Sequence, residues 1–231
     1  MPEQKIALIK HGDFSYINIE IIKILQANFT NFPLEIIDIY TDLVSKKDPK
    51  AFTYCLKEFG TDILLQKKKI NTATYLKLPY TFTKIKTAIQ KRLAEQKYVF
   101  TFQTQSLFDA SVPGIPHFVY TDNTYLANIK YPGFDFRDLP SKTWLEYEKS
   151  IYQNATLNFT MSSNVSQSMI EDYSCNPEKI ACVYCGANVQ VKQDEIFDDQ
   201  RFSNQNILFV GVEWERKGGP VLVEAFKKVL K

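Results

Sequence analysis

The sequence has little of what marks several common protein classes. Its four cysteines, Cys55, Cys175, Cys182 and Cys185, lack the even framework that staples a small secreted domain, and they suit a reducing compartment. Cys182 and Cys185 match C-x-x-C, but a structural zinc site needs a second ligand pair. The other ligand types, Cys55, Cys175, His11 and His117, stand at no paired spacing. No metal is expected, and Cys182 and Cys185 are expected as buried thiols in a strand. No apolar run reaches the length of a membrane span. The opening MPEQKIALIK is charged with only a short apolar stretch, so no signal peptide is evident and a cytoplasmic protein is expected. A formal net charge of +2 is too small to argue for a nucleic-acid partner. The first strand-end loop lacks the repeated glycines of a dinucleotide fingerprint, and no cofactor is indicated.

What fills the 231 residues is an alternation of short apolar runs and amphipathic segments, long for one average domain and short for two. KIALIK at 5–10 predicts a strand, and Ile17, Ile21, Ile22, Leu25 and Phe29 recur at the spacing of one helical face. LEIIDIY at 34–40 returns as a strand and completes a βαβ unit. A helix is predicted at 50–59, a short strand at 62–66 ahead of Lys67, Lys68 and Lys69, and an amphipathic helix marked by Phe82, Ile85, Ala88, Ile89, Arg92 and Leu93. Strands follow at 98–102, 117–120, 157–161 and 180–184, with a loop at 103–108. Helices fall at 141–153, capped by Ser141, and from Ser162 or Ser163 to 173. The charged stretch 194–205 reads as a linker. Beyond it 207–210 closes on Gly211 as a buried parallel strand, and Val221, Leu222, Ala225, Phe226 and Val229 lie along one helical face with Pro220 in the first turn. The expected fold class is α/β, a doubly wound, Rossmann-like parallel sheet at 1–193, with the first strand and helix of a second domain at 206–231.

Open parallel sheets place ligands at the carboxyl ends of their strands. After the first strand, Gly12 lets the backbone approach a substrate closely, or serves a plain turn. After the 117–120 strand, Asp122 and Asn123 stand at the mouth of a cleft, or Asp122 and Thr124 cap the next helix. Lys217 and Arg216, beside Gly218, Gly219 and a helix start, are cations placed to hold a diphosphate together with free backbone N–H groups. Lys84, Lys86, Lys91 and Lys97 give the 82–93 helix region a basic side, which is either a solvated face or a peripheral contact with anionic lipid. The aromatic segment YPGFDFRDLP at 131–140 is a substrate-covering loop or a packed surface loop.

With these residues in view, the chain resembles the family 4 (group 1) glycosyltransferases, which have the two-domain B fold. The likeness runs from about residue 98 to the end, through VYTDNTYLAN, a W-x-x-x-E helix at Trp144 and Glu148, DYSCNPEKIACVYCGAN and VGVEWERKGG. The resemblance implies transfer of a sugar from a nucleotide-sugar donor to a sugar or lipid-linked acceptor, usually with retention. The transfer takes place in a cleft between an N-terminal acceptor domain and a C-terminal donor domain. The sequence contains no Asp-x-Asp, by which the other large class of these enzymes holds a divalent ion, in keeping with the metal-free type. Lys217 matches the lysine that stabilises the donor diphosphate, and Gly186 and Asn188 match the strand-end loop beside the cleft. Where family members often carry an arginine this chain has Val212, with Arg216 as the nearest substitute, and Asn123 stands where related sequences often carry a histidine. The family's paired glutamates lie further on than Lys231, so the chain is expected to be an incomplete enzyme, inactive by itself. The competing expectation is a non-catalytic α/β module that binds a nucleotide or a partner protein; a B-fold epimerase or phosphorylase is a third.

Overall fold

Ile6, Ala7, Leu8 and Ile9 are each 1% exposed or less, as consecutive strand residues are when helices cover both faces of a sheet. Their strand, β1 (Lys5–Lys10), lies in a six-stranded, all-parallel sheet with β2 (Leu34–Asp38), β3 (Tyr98–Thr104), β4 (His117–Thr121), β5 (Leu157–Thr160) and β6 (Ile180–Cys182), ordered β2-β1-β3-β4-β5-β6. The helices are α1 (Ile17–Asn28), α2 (Pro49–Gln66), α3 (Thr72–Leu76), α4 (Pro79–Ala94), α5 (Tyr125–Ile129), α6 (Lys142–Asn154), α7 (Ser163–Glu171) and α8 (Gly219–Val229). The computed structural model describes residues 4–14, 16–43, 48–66, 72–131, 134–136, 139–186, 203, 206–211, 214–215 and 217–230. The chain divides into two compact units, Met1–Asn188 and Val189–Lys231.

The first unit is a doubly wound, Rossmann-like α/β fold. Side chains alternate across each strand, so Leu8 meets Ile21 and Leu25 of α1, while Ala7 and Ile9 point the other way, to Ile85, Ile89 and Leu93 of α4. Farther along the sheet, Val119 of β4 packs with Ile151 and Tyr152 of α6 and with Val165 and Met169 of α7. Ser141 and Ser162 cap α6 and α7 by accepting from the amides of Trp144 and Val165, which satisfies donors a helix start leaves unpaired.

Several elements differ from expectation. Residues 62–66 are the last turn of α2, not a strand. Ile63 falls four residues after Phe59 and eight after Cys55, and all three pack with Leu78 and Tyr75, so the apolar run continues a helical face. β2 stops at Asp38, and 39–43 close into a π-helical turn that sends Ile39 into the core. β3 runs on through Gln103 and Thr104, which the sequence pattern put in a loop. β6 is three residues long and leaves Cys182 half-buried and Cys185 exposed, so these two are not buried strand thiols. In the second unit, 206–211 form no ladder among the described residues, and Ile207, Leu208 and Val210 are exposed, so the buried parallel strand expected at 207–210 is not formed there. No helix among the described residues is long and apolar enough to cross a membrane.

Candidate functional site

The chain passes from β1 outward to β2 and then returns to the other side of β1 as β3, so the strand order reverses between β1 and β3. In open parallel sheets that reversal opens a crevice at the carboxyl edge. Ile9 is the last residue of β1 paired with β3, opposite Gln103. Beyond that pair the two strands part: Lys10 still pairs with Asp38 of β2 before His11 and Gly12 leave the sheet, and Thr104 still pairs with Tyr120 of β4 before Gln105 and Ser106 do.

The β1 turn is tightly held. Asp38, opposite Lys10 in the register, accepts from Lys10 Nζ at 2.5 Å and from the amides of Gly12 at 3.1 Å and Tyr40 at 3.0 Å. The Gly12 carbonyl accepts from Lys10 Nζ at 3.1 Å and from Asn18 Nδ2 at 2.7 Å. Burial alone raises the pKa of Asp38, but the bonds from Lys10 and the two amides outweigh it and hold the carboxyl below its ordinary value. Gly12 has a φ of 61°, with open space where a Cβ would stand, so the backbone conformation is what favours glycine there. Phe14, Tyr16 and Gln105 share this left-handed region, a cost concentrated where strands β1 and β3 end.

Four buried polar atoms at this edge have no hydrogen-bond partner: His11 Nε2, Asn18 Oδ1, Thr104 Oγ1 and Gln105 Oε1. Asn18 and Thr104 are 1% and 0% exposed. The His11 ring meets Tyr40 edge-on at 5.6 Å; burial lowers its pKa, with the Asp38 charge opposing and the Lys10 charge adding to the effect. Unpaired buried acceptors are uncommon in folded proteins, and two amide oxygens with a hydroxyl and an imidazole suit a ligand rich in O–H or N–H donors. At the opposite end of β4, His117 bonds Thr101 Oγ1 through Nδ1 at 2.7 Å while its buried Nε2 is likewise unpaired, and burial pushes its pKa down to about 4. It is a neutral core histidine.

At the carboxyl end of β4, Asp122 is exposed and Asn123 half-buried. The surrounding protein raises the pKa of Asp122 even though its side chain reaches solvent, while its own amide and that of Asn123 pull it down. Asn123 is occupied in shaping the turn: its Nδ2 donates to Asn128 Oδ1 at 2.5 Å, its Oδ1 accepts from the Thr124 amide at 2.9 Å, and its carbonyl accepts from Thr121 Oγ1 at 2.9 Å. Thr124, not Asp122, caps α5, accepting from the Ala127 amide at 3.1 Å. Behind this turn stands α6, whose Trp144 and Glu148 are both 1% exposed. Trp144 Nε1 donates to the Leu76 carbonyl at 2.9 Å, and Glu148 Oε1 accepts from the Tyr125 amide at 2.9 Å. At the β6 end Tyr184 is left-handed, and its carbonyl accepts from the Tyr120 hydroxyl at 2.9 Å. Gly186 follows with open space around it; Asn188 lies outside the described residues.

In the second unit, Trp214 sits edge-on to Phe209 at 5.0 Å. A Cβ on Gly219 would stand 2.2 Å from the Trp214 ring, and one on Gly211 3.2 Å from Lys217 Cγ. Gly218 precedes α8 with a φ of 81°. The amides of Gly218 and Gly219 donate to the carbonyls of Glu215 and Trp214 at 3.1 and 2.9 Å, and Pro220 has no N–H. The helix start therefore offers few free amides, and Lys217 is exposed at the turn. Arg216 and Val212 lie outside the described residues.

The basic side of α4 is partly neutralised. Lys84 pairs with Asp48 at 2.5 Å, Lys86 with the buried Asp109 at 2.6 Å, and Arg92 with Glu35 at 3.0 Å. Lys91 and Arg92 line a shallow groove with Glu35 and Glu95, so the groove carries both signs. Among the described residues no group of three or more His, Cys, Asp or Glu side chains converges to hold a metal.

The structure thus places Gly12, Asp122, Asn123 and Gly186 on one sheet edge. Sequence reasoning missed Lys10, Asp38, Asn18, Thr104 and Gln105 there. Asn18 and Thr104 carried a legible signal, a polar residue where the helical or strand pattern calls for an apolar one. No protein-family model matches the chain, and no curated protein matches it.

Proposed function

We propose that the chain acts in the transfer of a sugar from a nucleotide-sugar donor, in the manner of the two-domain B-type glycosyltransferases that its motifs resemble, with retention and without a metal. The observation that carries this is the reversal of strand order between β1 and β3, with four unpaired buried polar atoms beside it. Hydroxyl-rich ligands match such acceptors. The first unit holds a sugar or lipid-linked acceptor at the carboxyl edge of its sheet, where Asp122 accepts from an acceptor hydroxyl and Asn123 keeps the turn in shape. Departure of the nucleotide puts negative charge on the diphosphate, and Lys217 is the cation that meets it. With the Gly218 and Gly219 amides bonded within their turn, this work falls on the ammonium. Those same bonds favour the alternative, a binding module in which the glycine turn is only a structural junction.

The experiment is a titration of the protein with a panel of nucleoside-diphosphate sugars, followed by calorimetry and by transfer to simple glycoside acceptors. One donor is expected to bind, and Lys217→Ala to weaken its binding by about 1.5–3 kcal/mol without lowering the melting temperature. Donor binding without transfer is expected both of an incomplete transferase and of a binding module, so transfer, where it occurs, is the outcome that decides for the transferase. Absence of binding across the panel, or affinity unchanged in Lys217→Ala, overturns the proposal.

A further inference from the structure

Glu148 lies in the core of the first unit and accepts hydrogen bonds from three elements. The Tyr125 amide, at the first residue of α5, and the Tyr152 hydroxyl, one turn along α6, both donate to Oε1 at 2.9 Å. The Tyr173 hydroxyl, just beyond α7, donates to Oε2. The Tyr173 oxygen in turn accepts from the Leu126 amide at 3.1 Å. The first two amides of α5 therefore hang on one carboxylate and one phenol, directly after the turn that carries Asp122 and Asn123. α5 is five residues long and too short to hold its own start.

We propose that Glu148 is a proton-controlled clamp on the turn between β4 and α5: ionised, it holds Tyr125 and Leu126 in place, and protonated, it reverses its bond with Tyr173 and loosens that hold. All three groups that face the carboxylate are donors, which suits the ionised form. When a proton from solvent settles on Oε2, that oxygen becomes a donor to the Tyr173 oxygen, which already accepts from Leu126. The phenolic hydrogen of Tyr173 then has to turn away from Glu148. The Oε1 bonds to Tyr125 and Tyr152 persist with a weaker, neutral acceptor.

The carboxyl is poised for this exchange. Burial pushes its pKa up to about 7, against the lowering effect of Tyr173, the Tyr125 amide and Tyr152. The surrounding groups stay fixed. Burial and the Glu148 charge raise both phenols. Asp172, behind Tyr173, is held low by Ser168 and Lys130 in spite of its burial. Lys77, on the outer side of Tyr125, bonds that hydroxyl at 2.8 Å. The movement of the turn stands apart from sugar transfer; only its consequence for an acceptor at Asp122 rests on that proposal.

The test is a pH titration of backbone amides by nuclear magnetic resonance on the whole chain, from about pH 5 to about pH 9. The Tyr125 and Leu126 amides are expected to titrate together near neutrality. Glu148→Gln, whose amide donates to Tyr173 as the protonated acid does, should flatten both curves. Tyr173→Phe removes one donor to the carboxylate and should move the Tyr125 midpoint upward by about one pH unit. Amides that do not titrate, or that titrate unchanged in Glu148→Gln, overturn the proposal. If Glu148→Gln fails to fold, Tyr173→Phe decides, an unmoved midpoint counting against the clamp. Donor binding plays no part in this readout, so its failure and that of the transferase proposal are separate events.

Discussion

Asp38 fixes the β1 turn from the neighbouring strand, and its contribution can be measured at one residue. Its carboxylate takes Lys10 and two amides at once, and Asp38 and Lys10 side chains are only 16% and 13% exposed. Asp38→Ala should destabilise the first unit by about 2–4 kcal/mol in urea unfolding, because it leaves a partly buried ammonium and two amides short of acceptors. A depressed folded pKa means the ionised form is favoured by folding. The stabilisation is therefore complete above the ordinary aspartate range and is lost as pH falls through the folded pKa. The wild-type minus Asp38→Ala difference should accordingly shrink on acidification. In the second unit, Gly219→Ala drives a methyl group into the Trp214 ring. It should cost about 1–3 kcal/mol and blue- or red-shift Trp214 emission as the ring is displaced from Phe209. An unchanged emission spectrum and melting curve would show that the ring does not seat on that glycine.

At the scale of elements, the capping serines are the tightest link between sequence and structure. Ser141 opens α6, which carries both Trp144 and Glu148 into the core. Ser141→Ala should cost about 1 kcal/mol and lower the melting temperature by about 2–4 °C; Ser141→Asp should restore most of it, because a carboxylate caps as well as a hydroxyl. The W-x-x-x-E spacing has a plain physical meaning here. Residues four apart share a helix face, and on this one the indole N–H reaches Leu76 while the carboxyl reaches α5. α2 shows the reverse case. Its last turn looked like a strand because a short apolar run has no period of its own, and only the packing of Ile63 beside Phe59 and Leu78 shows that it continues a helix.

For the whole molecule, Glu148 sets a measurable pH dependence. Its folded pKa of about 7 lies above its ordinary value of 4.5. Between those values the native state therefore holds a proton that the unfolded chain has released. The free energy of unfolding should fall as pH rises from about 4.5 to about 7, by a few kcal/mol at most, and be level in this respect above that window. Urea denaturation across the window tests this, and Glu148→Gln should remove the slope. A slope that survives the substitution would assign it to another group.

The sequence by itself determined the alternation of elements, the parallel α/β class and the helix starts at Ser141 and at Ser162 or Ser163, because hydrophobic period and capping chemistry are local. It also marked Gly12, Asp122, Asn123 and Gly186 as strand-end residues, since the end of an apolar run is visible in one dimension. Only the tertiary structure decided the reversal of strand order between β1 and β3, the pairing of Lys10 with Asp38 across 28 positions, and the unpaired atoms of Asn18, Thr104 and Gln105. It also turned Asn123 inward to its own turn and spent the Gly218 and Gly219 amides on theirs. These outcomes depend on which backbone groups remain unpaired once distant segments have met. Neither the spacing of residues nor their type carries that information before the chain is folded.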